Sequence, residues 1–135
     1  LKKKTRKMVV VGQTYVYVLN QSYQPEESII TLKISLEGQK NITLSFKFCT
    51  WEDAISGSPL YVGIDLNHRV TKAVEHFSLN HPSRIKEFII YGNEHGWTGQ
   101  NSMVFHDGLE VMHDMGYDIS CLMPKNKRTT FIERY

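Results

Sequence analysis

Ile30-Thr31-Leu32-Lys33-Ile34-Ser35-Leu36 and Ile42-Thr43-Leu44-Ser45-Phe46-Lys47-Phe48 decide the fold of this chain. In each stretch four apolar side chains alternate with small or charged ones, the period-two signature of a half-buried strand. Together they predict an antiparallel sheet with one dry face and one wet face. Parity constrains the connection between them. For Leu36 and Ile42 to stand opposite each other on the dry face, the loop must hold an odd number of residues. A two-residue Gly38-Gln39 turn would send one apolar set to solvent, so three or five residues are expected.

Working outward, Met8 to Val11 and Thr14 to Leu19 read as a hairpin closed by Gly12-Gln13 in a type II′ turn. That register sets Val9 opposite Val16 and Met8 opposite Tyr17. Met8, Val10, Tyr15 and Tyr17 then share one face and the valines the other. Such a pair is either covered on both sides or presents a tyrosine-lined outer surface. Asn20 to Glu27 reads as a polar connection around Pro25. Beyond the second alternation, Thr50 to Pro59 is an irregular segment carrying Trp51, with Gly57-Ser58-Pro59 as its breaker. Leu60, Val62, Ile64 and Leu66 alternate with Tyr61, Gly63 and Asp65, which predicts a fifth strand. For Asn67 to Leu79 the helical spacing of Val70, Ala73, Val74 and Phe77 competes with β-branching. The expectation there is a short helix or irregular stretch ending extended at Phe77 to Leu79.

Pro82 to Glu94 is the best helix. Proline suits its first turn, and Ile85, Phe88, Ile89 and Gly92 make one buried stripe. Gly92 on that stripe allows close approach to the sheet. Gly96 fits the left-handed position after the helix, with Trp97 folding back as a core plug. A second helix is marked by Asp107-Gly108-Leu109-Glu110, an acidic form of the capping box. It carries Leu109, Val111, Met112 and Met115 and is stopped by Gly116, and Ser102 to Phe105 reads as a short strand before it. Residues 122–135 read as a basic, loosely held end.

At 135 residues, 41% hydrophobic and 22% charged, the chain has the size and composition of a single globular domain, 1–135. Its charge is uneven. With +2 overall, +5 in residues 1–7 and +3 in residues 122–135, the body 8–121 carries −6. An acidic body with basic ends disfavours broad contact with a phosphate backbone. No apolar run reaches the roughly 18 residues of a membrane span, and the stretch after Lys7 is too broken for a signal peptide. A cytoplasmic location and no membrane partner are expected. Cys49 and Cys121 are too few for a disulfide framework or a four-thiolate metal site.

Catalytic motifs are missing. His76 and His81 are five apart, and His106 and His113 seven apart, neither being the i, i+4 pairing of ligands on a helical turn. His106-Asp107 and His113-Asp114 look like metal-phosphohydrolase dyads, but that chemistry needs several converging helices, and Asp107 serves better as a cap. There is no Gly-x-Ser-x-Gly elbow and no phosphate-binding glycine loop after a strand. The expectation is therefore a non-enzyme without metal or cofactor. A small hydrolase or metal-dependent enzyme, with a site assembled from His and acidic residues, remains an alternative.

The interaction reading rests on amphipathic rings, which are favoured at interfaces. Tyr15, Tyr17, Trp51, Tyr61 and Trp97 are the candidate binding residues, with Tyr23 and Tyr91 in the same class. Glu52, Asp53, Asp65, Glu75 and Asp118 complement a basic partner. The run Pro82-Ser83-Arg84-Ile85 through Gly92 to Gly96-Trp97, following a hairpin of the Met8-Val9-Val10-Val11-Gly12 kind, resembles small bacterial and phage-associated proteins of uncharacterised function. That resemblance spans the hairpin and the main helix and implies no activity or site residue.

The expected architecture is thus α+β: a mainly antiparallel twisted sheet of about five strands with two helices packed on one face. The expected function is a non-enzymatic protein-binding module, an immunity-like inhibitor or regulatory partner, with another, basic protein as its partner. Nucleic acid held by the basic ends is the alternative partner.

Overall fold

The computed structural model describes residues 5–24, 27–51 and 57–124. In chain order these form β1 (Arg6–Val10), β2 (Gln13–Gln24), β3 (Glu27–Leu36), β4 (Leu44–Trp51), α1 (Pro59–Val62), β5 (Ile64–Asn67), β6 (Val74–Phe77), α2 (Pro82–Glu94), β7 (Met103–Phe105) and α3 (Gly108–Asp114). A 3-10 turn, Ser120–Leu122, follows α3. The main sheet has the order β1-β2-β3-β4-β7, and β5 and β6 form a separate two-stranded sheet. Within the main sheet β1 to β4 are antiparallel neighbours and β7 runs parallel to β4. The architecture is α+β, with a mixed rather than purely antiparallel sheet.

The two alternating stretches pair as their pattern demands. Ile30 faces Phe48, Leu32 faces Phe46 and Ile34 faces Leu44, and all six are at most 1% exposed. Their connection, residues 37–43, is closed by two successive turns, Gln39 N–H to the Leu36 carbonyl at 2.9 Å and Ile42 N–H to the Gln39 carbonyl at 3.1 Å. It is odd in length, as parity requires, and the pairing of Ile34 with Leu44 carries Leu36 across from Ile42 with five residues, 37–41, between them, as expected.

In the first hairpin the turn sits one residue earlier than the sequence suggests, which shifts the pairing by two. Val10 pairs with Gln13, and Val11 and Gly12 occupy the corner with φ of 49° and 77°. Two positive φ values make this a type I′ turn, whose twist matches the flanking strands. A register shift of two residues leaves every side chain on its face. Met8, Val10, Tyr15 and Tyr17 therefore still share one side, and that side is the core: Tyr15 and Tyr17 are buried. The tyrosines line the interior, not an outer surface.

Three further expectations are corrected. β2 continues through the polar stretch 20–24, pairing from Asn20 with Thr31 to Gln24 with Glu27, because backbone pairing to β3 persists where the core has ended. Leu60 to Leu66 is not one strand. Ser58 Oγ accepts the Leu60 N–H at 3.3 Å, and Pro59 pre-sets the first turn, so α1 forms instead. Gly63, at φ 109°, then releases the chain into β5. The fifth strand of the main sheet is β7. Residues 74–77 are extended as β6, so β-branching prevails over helical spacing there.

The helices fall where expected, with α1 as an additional single turn. Ile85, Phe88 and Ile89 are fully buried, and the Phe88 ring lies 5.0 Å from Phe46 and 5.3 Å from Phe48. Gly92 brings the helix so close that a Cβ there would collide with Leu44 Cδ2. The helix ends in a Schellman arrangement: Trp97 N–H reaches the Gly92 carbonyl at 2.8 Å, with Gly96 at φ 102°. Asp107 Oδ1 accepts the Glu110 N–H at 3.1 Å and starts α3. Leu122 is fully buried, so the start of the basic end is anchored in the core. Lys2 to Lys4, Pro25, Glu26, Glu52, Asp53 and residues 125–135 lie outside the described residues.

Candidate functional site

α2 presents two faces. The apolar stripe is used up against the sheet; the polar face carries Arg84, Glu87, Tyr91, Glu94 and His95 at near-helical intervals. Its first half is tied into a polar knot. Arg84 Nη1 donates to Glu87 Oε2 at 2.9 Å, to the Tyr117 hydroxyl at 2.9 Å and to Glu75 Oε1 at 3.3 Å. Its Nη2 donates to the His76 carbonyl at 2.7 Å. Tyr117 in turn donates to Glu87 Oε1 at 2.6 Å. Burial, reinforced by Glu87, pushes the Tyr117 hydroxyl well above its usual range. A guanidinium whose fork is filled by protein acceptors is closed to a substrate anion, and a phenol held neutral is no nucleophile at ordinary pH. This knot fastens β6, α2 and the chain after α3 to one another.

The second half of the same face borders a cleft of about 590 Å³ between α2 and α3, lined by Glu87, Ile90, Tyr91, Glu94, His95, Asp114 and Met115. Tyr91 and His95 stack with ring centroids 4.0 Å apart, the i, i+4 pairing that puts two side chains over one another. Phe105 of β7 closes the stack from below, 5.4 Å from Tyr91. The Tyr91 hydroxyl donates to Asp114 Oδ2 at 3.1 Å. Burial first, then Asp114 and Glu110, push its pKa up to about 12. The cleft is thus a ring stack framed by carboxylates, an environment that favours positive charge.

The residues expected to bind do not converge. Tyr15, Tyr17 and Trp97 are in the core at 6%, 2% and 2% exposure, and Tyr15 and Trp97 pack on each other at 5.9 Å. Their rings face the interior because the inward side of β2 and the end of α2 meet there. Trp51 is half-buried and its Nε1 donates to the Cys121 carbonyl. Tyr61 is exposed on α1, away from the cleft residues, its carbonyl accepting from Ser78 and Asn80. The described acidic residues singled out in the sequence are engaged elsewhere. Asp65 pairs with His76 at 3.0 Å, Glu75 with Arg84, and Asp118 caps the Ser120 N–H. Glu87, Glu94 and His95 were missed, and Asp114 was noted only as half of a His-Asp dyad. Their signal was present in part: Glu87, Tyr91, Glu94 and His95 recur at i, i+4, i+7 and i+8, opposite the apolar stripe.

The histidines have local roles. His68 Nδ1 faces the N–H groups of Val70 and Thr71 at 3.2 Å each, so Nε2 carries the proton and donates to the Met115 carbonyl at 3.2 Å. His76 and His81 meet ring to ring at 5.8 Å. Among the described residues no group of three or more His, Cys, Asp or Glu is placed to hold a metal ion, and no helix is long and apolar enough to cross a membrane. No protein-family profile, curated protein or solved structure matches this chain.

Proposed function

We propose that this chain is a non-enzymatic protein-binding module whose cleft between α2 and α3 receives a basic segment of a partner protein. The observation that carries the reading is the Tyr91–His95 stack framed by Glu94 and Asp114, with Glu87, already paired to Arg84, at its edge. Aromatic faces and carboxylates together favour an arginine or lysine side chain, through cation–π attraction and charge-assisted hydrogen bonds. The cleft is open, so an incoming side chain need not displace packed core. Ile90, 37% exposed, and Met115 supply apolar contact beside the charges. The body's net charge of −6 over residues 8–121 adds a field that draws a cationic partner in. In its most concrete form the module is an immunity-like inhibitor or regulatory partner of a cationic protein, such as a toxin nuclease.

The test is affinity capture from native cells by the whole chain, followed by identification and direct binding measurement. A basic protein should be retained by the wild type, Glu94→Lys should release it while leaving the melting temperature unchanged, and Asp114→Lys, which also gives up the Tyr91 hydrogen bond, should release it as well. A partner that binds both variants as tightly as the wild type overturns the reading. So does capture of nucleic acid alone, dependent on the basic ends.

A further inference from the structure

The wet face of the main sheet carries a different kind of site. Two adjacent rungs cross it. One holds Val16 opposite Ser35, and the next Val18 opposite Lys33 with Ser45 beyond. A concavity of about 240 Å³ opens over these rungs, lined by residues 16–18 of β2 and by Thr5, Lys33, Ser35, Lys40 and Thr43. From this geometry we propose that it binds a small organic phosphomonoester, with the phosphate held by Lys33, Lys40 and the Ser35 hydroxyl.

Ser35 sits at the floor of the concavity, 8% exposed as a residue, and its hydroxyl makes no hydrogen bond to another described residue while staying open to water. The side chain opens onto the concavity, where an incoming acceptor can pair with the hydroxyl. Lys33 and Lys40 likewise have no carboxylate partner among the described residues, in a body that is acidic overall. The nearby carboxylate Glu37 is occupied by Lys7 at 2.6 Å, so it does not neutralise them. The two ammonium groups are the pointer to an anion, and with the hydroxyls of Ser35, Thr5 and Thr43 they form a donor set suited to a tetrahedral dianion. Val16 and Val18 give the floor an apolar strip, which fits a small carbon body attached to the phosphate. The volume lies below the range of about 300–1,000 Å³ typical of drug-sized ligands, so the ligand is small. This face is the opposite side of the sheet from α2 and α3, and the inference stands independently of the acidic cleft.

The experiment is a titration of the whole chain, followed by backbone amide NMR at constant ionic strength. The probes are phenyl phosphate, inorganic phosphate, benzoate and a twelve-nucleotide single strand. Phenyl phosphate should shift the amides of Val16, Val18, Lys33 and Ser35 saturably and bind more tightly than inorganic phosphate, with benzoate weaker than both. Lys33→Gln and Lys40→Gln should each weaken it about tenfold, the ratio expected for a lost charge-assisted hydrogen bond. Ser35→Ala should weaken it with the melting temperature held or raised, which separates loss of a ligand contact from loss of folding. The proposal is overturned if phenyl phosphate gives no saturable shift, or if the double Lys33→Gln, Lys40→Gln variant binds it as before. Saturation by the oligonucleotide but not by phenyl phosphate would also overturn it, in favour of a phosphodiester backbone.

Discussion

Gly92→Ala puts a methyl group at the closest approach of α2 to the sheet. Its Cβ would collide with Leu44 Cδ2 and stand 3.1 Å from Cδ1 and 3.3 Å from Cγ. Leu44 is fully buried, so its side chain has no solvent to swing into. Helix propensity acts in the opposite direction, by about 0.5–1 kcal/mol in a helix interior, and by less at Gly92, in the last turn. Inserting a methyl group into a packed core costs about 1–3 kcal/mol. The net expectation is a loss of about 1–2 kcal/mol, or roughly 3–6 °C in Tm for a domain of this size. Urea unfolding of the wild type, Gly92→Ala, Leu44→Ala and the double variant decides the cause. Leu44→Ala alone should cost about 2–5 kcal/mol but makes room for the methyl. In that background Gly92→Ala should cost nothing or stabilise, a coupling of about 1–2 kcal/mol. Gly96→Ala is the control. Nothing lies within 4 Å of a Cβ there, and the strain comes only from φ +102°, so its cost should be the same with or without Leu44. If Gly92→Ala loses as much stability in the Leu44→Ala background as in the wild type, close helix–sheet approach is not the reason for the glycine.

Four other outcomes are expected. Val11 holds a β-branched residue at φ 49° before Gly12, so Val11→Asn, which makes the Asn-Gly favoured in type I′ turns, should raise stability by about 1 kcal/mol in urea unfolding. Asp107→Ala removes the acceptor of the Glu110 N–H and should cost about 0.5–2 kcal/mol, with Asp107→Asn close to wild type. Tyr117→Phe strips a donor from Glu87 and an acceptor from Arg84 in a half-buried knot and should cost about 1–3 kcal/mol by the same measurement. Finally, the folded protein holds the Tyr91 proton up to about pH 12, whereas the unfolded chain releases it near the ordinary value of 10.0. Its contribution to stability is complete below pH 10 and is lost as pH rises towards 12. Tyr91→Phe should flatten that part of the alkaline stability profile, and a profile unchanged by the substitution would show Tyr91 to be ordinary.

How much of this was readable follows from which constraints act locally. β3 and β4 were legible because a period of two, with one wet face, admits a single register parity. The same parity hid the true hairpin turn: corners at Val11-Gly12 and Gly12-Gln13 place identical residues inside, and only the backbone conformation of Val11 separates them. Pro82 to Glu94 announced itself through proline, stripe and Gly96 together. β7 has three residues, too few to show any period, and its place beside β4 is set by where α2 delivers the chain. Leu60 to Leu66 alternated convincingly, yet a serine hydroxyl and a proline outweighed the pattern. The acidic cleft was half visible. Glu87, Tyr91 and Glu94 follow from one helix, but Asp114 and Phe105 join them only through tertiary packing.

The parallel pairing of β7 also has a cost in chain entropy. β1 to β4 join through chain-adjacent hairpins, each closing only a short loop. Ser45 and Val104 are 59 positions apart, so their pairing closes by far the longest loop in the main sheet. Phe105, stacked flat on Phe46 at 5.0 Å, clasps the ends of that loop. The ring stack of the cleft, which Phe105 supports from beneath, therefore hangs on the longest-range pairing of the main sheet.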